Sequence, residues 1–68
     1  MNVRKLTERR RAVLVGVVAG KSNREIAEGL GCSPETVKYH VRCLLASCGV
    51  ENRVRLAVVA AKSLKNTN

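Results

Sequence analysis

Apolar residues recur along this chain at three- and four-residue steps, and the recurrence is broken three times by glycine with short polar runs. Val13, Leu14, Val17 and Val18 make the first stripe; Ile26, Ala27 and Leu30 make the second. Val37, Val41, Leu44, Leu45 and Cys48 make the third, longer one. Apolar positions at i, i+3, i+4 and i+7 lie on one face of a helix. The stripes therefore predict helices, and the flanking residues set their ends. Thr7 reads as the N-cap of a first helix that runs to about Ala19 and stops at Gly20. Ser22 followed three residues on by Glu25 is a capping-box start. Gly31 closes that second helix in the left-handed conformation. Ser33 caps the third, with Pro34 at the first helical position and Glu35 placed well against the helix dipole. Gly49 stops it, and a turn through Asn52 leads to a fourth helix from about Arg53 to Ser63 or Leu64. The expected fold class is all-α, with four helices.

The second and third helices are spaced as a helix-turn-helix. Ala27 is the small residue where the two helices meet, and Gly31 is the turn residue four positions on. Ile26, Leu30, Cys32 and Val37 supply the apolar flanks. Such a geometry holds the second helix of the pair proud of the surface, where it can enter a major groove.

The fourth helix is apolar on two sides. Val54, Ala57, Val58 and Ala61 follow one stripe, assigned here to the core; Leu56, Val59, Ala60 and Ser63 follow another. A surface helix of a monomer needs one stripe. The second is expected to meet a partner, most simply a copy of the same chain.

Composition narrows the function. The chain has 68 residues, with 13 Lys plus Arg against 5 Asp plus Glu, a net charge of +8 and no Phe or Trp. A small basic domain suits a polyanion, nucleic acid first and an anionic membrane surface second. No apolar run reaches the ~18 residues of a spanning helix, and no signal peptide is visible. Cys32, Cys43 and Cys48 form no C-x-x-C pair, so they read as small hydrophobes in a reducing cytoplasm. His40 one turn before Cys43 gives two soft ligands where a metal site needs four, so no metal or other cofactor is expected. With no Asp and one His, no catalytic constellation can be assembled.

Leu6-Thr7-x-Arg9, Val13-Leu14, Gly20, Ser22-Asn23-x-Glu25-Ile26-Ala27, Leu30, Ser33, Thr36-Val37-Lys38-x-His40, Gly49-Val50 and Arg53 with Ala57-Val58 together resemble the LuxR/GerE-type helix-turn-helix domain. The resemblance spans Leu6 to about Leu64. It implies a four-helix transcription regulator that dimerises through its last helix. On this basis residues 1–6 are a basic N-terminal arm with Arg4 and Lys5, 7–64 the domain and 65–68 a polar tail. The chain departs from the family at Arg10, where Glu is usual and would complete a capping box with Thr7. It departs also at Gly16, where a bulky apolar residue is common, and at Ser47-Cys48, where Lys-Leu is usual. Gly16 inside a helix is expected to cost ~1 kcal/mol relative to Ala. Six residues ahead of the motif, and Met1 at its head, fit a stand-alone regulator.

The base-reading positions of the family match Lys38, Tyr39 and Arg42. Their side chains can donate to guanine O6 and N7 or touch a thymine methyl. Glu35 is assigned to the helix dipole and His40 to a structural hydrogen bond. Lys21, Ser22, Asn23 and Thr36 stand at helix starts and are the expected phosphate contacts. Leu56, Val59, Ala60 and Ser63 are the expected dimer interface. The expected partners are double-stranded DNA and, on DNA, a second copy; RNA polymerase is a further candidate, and the expected location is cytoplasmic. Two rival roles are an interaction protein that pairs with and inhibits a larger regulator, and a sigma region-4-like module carried by RNA polymerase. Salt-dependent operator binding by the chain alone separates these.

Overall fold

The computed structural model describes residues 6–65, with the side chain of Lys65 left aside. It contains α1 (Glu8–Val18), α2 (Asn23–Leu30), α3 (Pro34–Cys48) and α4 (Arg53–Lys65). The described residues form no strand, so the all-α fold of a four-helix helix-turn-helix domain is the observed one. Each of the first three helices starts on the hydroxyl its sequence offers. Thr7 Oγ1 accepts from the Arg10 N–H at 3.1 Å, Ser22 Oγ from Glu25 N–H at 3.1 Å, and Ser33 Oγ from Thr36 N–H at 3.2 Å. Asn52 Oδ1 accepts from the Arg55 N–H at 2.9 Å at the start of α4. Gly31 ends α2 at φ +69°, which lets the Cys32 N–H return to the Ala27 carbonyl at 3.1 Å. That bond turns the chain into α3 within three residues.

The core is wholly aliphatic: Val13, Leu14 and Val17 from α1, Ile26 and Ala27 from α2, Val37, Val41 and Leu44 from α3, Leu56 and Ala60 from α4. α2 lies along α3, and α4 lies mainly on α1. Leu30, Cys32, Leu45, Cys48 and Val50 pack around the buried set. This arrangement leaves the opposite side of α3 uncovered.

Three expectations change. Gly16 is not a weakness to be tolerated. It is buried where α1 meets α2, and a Cβ there would lie 2.6 Å from Ile26 Cγ1. The two helices approach closely because that side chain is absent. The two stripes of α4 also largely exchange places, with Ala57 alone of the expected core stripe packing on the core. Leu56 and Ala60 are 0% exposed, while Val54 is 75% and Val58 49% exposed. Leu56 and Ala60 therefore belong to the core and cannot form a dimer face; Val59 and Ser63 are half-buried beside them. Both stripes satisfy the helical period, and packing on α1 and α3 decides between them. Finally, Leu6 packs on the core, so the fold begins one residue earlier than the expected arm allows. The rest of the arm, with Arg4 and Lys5, lies outside the described residues. So does the tail beyond Lys65, a residue that is still helical.

Candidate nucleic-acid interface

α3 is buried on one side through Val37, Val41 and Leu44 and exposed on the other. The exposed side carries Glu35, Lys38, Tyr39, Arg42 and Ala46. Tyr39 stands 61% exposed, its ring tilted against that of His40 and with no hydrogen bond among the described residues, an unusual state for the one aromatic of a domain. Lys38, Tyr39 and Arg42 thus share an open helical face. No residue of that face is spent on an ion pair, because among the described residues the only one is Arg24–Glu28 at 3.8 Å. That pair is highly exposed and contributes little to stability.

The start of α2 supplies a second set. Lys21 and Ser22 are exposed and Asn23 is half-buried. Ser22 and Glu25 form a full capping box: the Ser22 N–H donates to Glu25 Oε1 at 2.9 Å while Ser22 Oγ accepts from the Glu25 N–H. The Ser22 backbone bond, then its hydroxyl and the Lys21 charge, hold the Glu25 carboxyl below its ordinary pKa. Two backbone N–H groups, those of Asn23 and Arg24, are left over at this helix start, as the first turn of any helix requires. They point the positive end of α2 at solvent, beside the Lys21 ammonium.

Arg53, at the first position of α4, reaches across to this site. Its Nη2 donates to the Lys21 carbonyl at 2.6 Å and its Nη1 to Asn23 Oδ1. The Asn23 carbonyl oxygen is thereby turned toward α4, so its amide N–H group is the end left for a ligand. Sequence reasoning gave Arg53 no role. One signal was present: a cation in the first turn of a helix opposes the dipole and calls for an acceptor elsewhere.

Thr36 is half-buried at the start of α3, with its hydroxyl 3.0 Å from Ser33 Oγ. His40 has the structural hydrogen bond expected of it. Its Nδ1 accepts from Arg10 Nε at 3.4 Å, which ties α1 to α3. Arg10 uses its backbone N–H on Thr7 and its side chain on His40, so the residue that breaks the usual capping box gains a tertiary contact. Burial, then Arg10 and Arg9, push the His40 imidazole pKa down. The cysteines are all half-buried and free; burial pushes the Cys48 thiol up.

The sequence matches the family described as bacterial regulatory proteins, luxR family, over residues 4–60. It is 47% identical over 57 residues to the uncharacterized transcriptional regulatory protein YhcZ of Bacillus subtilis, covering 84% of this chain and 27% of that protein. It is 43% identical over 54 residues to the nitrate/nitrite response regulator protein NarP of Escherichia coli, covering 79% and 25%. It is 46% identical over 52 residues to the transcriptional regulatory protein UhpA of Salmonella typhimurium, covering 76% and 26%. The chain spans about a quarter of the length of these relatives. No solved structure matches it.

Proposed function

Since the chain belongs to the luxR family of bacterial regulatory proteins, we propose that it is a sequence-specific regulator of transcription that binds double-stranded DNA with α3 in the major groove. The observation that carries this reading is the open face of α3, where Lys38, Tyr39 and Arg42 stand exposed, with no ion pair among the described residues, on a helix whose other side is locked into the core. Lys38 and Arg42 donate to guanine edges, and Tyr39 contacts a thymine methyl or a phosphate. Lys21, Ser22 and Asn23 at α2, together with Thr36, hold phosphates and set the register.

A second copy joins on DNA through α4. The face available for that contact is Val54, Val58 and Ala61, at i, i+4 and i+7, all exposed. Two α3 helices related by a two-fold axis meet major grooves one helical turn apart, so the site is a pseudo-palindrome with half-sites ~10 bp between centres. The patch is small, so pairing is concentrated on DNA, where each half raises the effective concentration of the other.

The test is discrimination. A preferred site is first recovered by selection from a random duplex pool. Lys38→Ala and Arg42→Ala are then each expected to lose about 1–3 kcal/mol against that site and to relax preference at one base position. If both variants discriminate the selected from a scrambled duplex as well as the parent, α3 does not read bases.

A further inference from the structure

A helix of ~10–12 Å diameter fills a major groove ~12 Å wide, so phosphates border it on both flanks. On α3, Lys38 lies on one flank. His40 is two residues on, about 200° round the helix, and so lies on the other. Thr36, four residues before His40, shares the His40 flank. The structure brings α1 to this second flank through the Arg10–His40 bond, 30 residues apart in sequence. Arg9 comes with it, exposed. Neither arginine has an acidic partner among the described residues. Both stand in the first turns of α1, where the helix dipole disfavours a cation. Two guanidinium groups held there against the dipole with no acidic partner among the described residues suit an anion.

We propose that Arg9, Arg10, His40 and Thr36 form a second phosphate-binding wall, which grips the DNA backbone along the His40 flank of α3. This rests on the reading of α3 as a groove-bound helix. Arg10 commits Nε to His40 and keeps both terminal nitrogens for a phosphate. Because His40 Nδ1 accepts from Arg10, the neutral ring carries its proton on Nε2, which makes that nitrogen a donor. Partial burial, then the Arg10 and Arg9 charges, lower the pKa of the ring and so favour its neutral form. The Thr36 hydroxyl adds a fourth donor one turn earlier. Nothing in this wall reads a base: it adds affinity and fixes how α3 lies in the groove.

The experiment is a salt titration of binding to a random-sequence duplex by fluorescence anisotropy, with the full chain. Each phosphate contact contributes ~0.9 to the slope of log affinity against log salt. The Arg9→Gln/Arg10→Gln double variant is expected to lower the slope by ~1.8, so that a fourfold rise in salt costs about tenfold less affinity than in the parent. Arg11→Gln, on the other side of α1, is expected to keep most of the parent slope. His40→Gln retains a neutral donor and should bind within about twofold of the parent; His40→Leu should bind about tenfold weaker, the loss of a hydrogen bond to a charged group. A double variant with the parent slope, or the same drop from Arg11→Gln, overturns the wall. If His40→Leu binds as well as the parent, His40 leaves it. Failure of the underlying reading looks different: Lys38→Ala and Arg42→Ala would then leave discrimination untouched, whatever the arginine variants do.

Discussion

Gly16→Ala and Gly29→Ala are the same substitution on neighbouring helices, and the structure expects them to act with opposite signs. Propensity alone favours both, by about 0.5–1 kcal/mol for Ala over Gly inside a helix. At Gly29 a new Cβ meets nothing within 4 Å, so that gain stands. At Gly16 it would meet Ile26 Cγ1 at 2.6 Å and Cδ1 at 2.9 Å. Ile26 is buried and branched at Cβ, so its Cγ1 cannot swing aside without a strained rotamer. Overpacking of this kind costs about 1–3 kcal/mol. The net expectation is a loss of ~1 kcal/mol for Gly16→Ala, or about 4–8 °C in Tm for a domain of this size. Urea unfolding followed by far-UV circular dichroism measures both variants. A double-mutant cycle with Ile26→Ala localises the conflict, because that change removes both Cγ1 and Cδ1, the two atoms the new Cβ meets. The cycle should show coupling of at least ~0.5 kcal/mol in favour of the pair. A Gly16→Ala protein that is stabilised as much as Gly29→Ala would refute the close approach of α1 and α2. So would strict additivity with Ile26→Ala.

Two further expectations concern α4 and the α2 start. Val58→Glu places a carboxylate in the centre of the exposed α4 face. It should keep the parent circular dichroism spectrum and half-site binding but lose cooperative filling of a two-half-site duplex; retained cooperativity would exclude this face as the contact between copies. Glu25→Gln tests the capping box by pH. The folded pKa of Glu25 lies below its ordinary value of 4.5, so its stabilising contribution is complete above that value and is lost as pH falls through the lowered one. Thermal melts from neutral to about pH 3 should therefore show the gap between parent and Glu25→Gln closing below 4.5. A gap independent of pH would mean that the ionised carboxylate contributes nothing to the cap.

The sequence by itself determined the four helices, because each carries its own start and stop. Thr7, Ser22 and Ser33 are hydroxyl caps that act on N–H groups within three residues, and Gly31 takes a φ that few other residues accept. Such signals are local and need no tertiary context. The open face of α3 was legible for the same reason: Val37, Val41 and Leu44 mark the buried side, so Lys38, Tyr39 and Arg42 fall opposite. Tertiary structure alone decided what depended on a second element. α4 has two apolar sides of similar strength, and only its packing on α1 and α3 put Leu56 and Ala60 in the core and left Val54 and Val58 in solvent. Gly16 read as a flaw until Ile26 stood against it. Arg10 stood out only as a departure from the family pattern and Arg53 only as a helix start until His40 and the Lys21–Asn23 corner, each some 30 residues away in sequence, came within hydrogen-bonding reach. A period states which residues share a face, and a cap states where a helix begins. Neither carries information on which surface of another helix arrives, since that is settled by the whole core minimising its exposed apolar area at once.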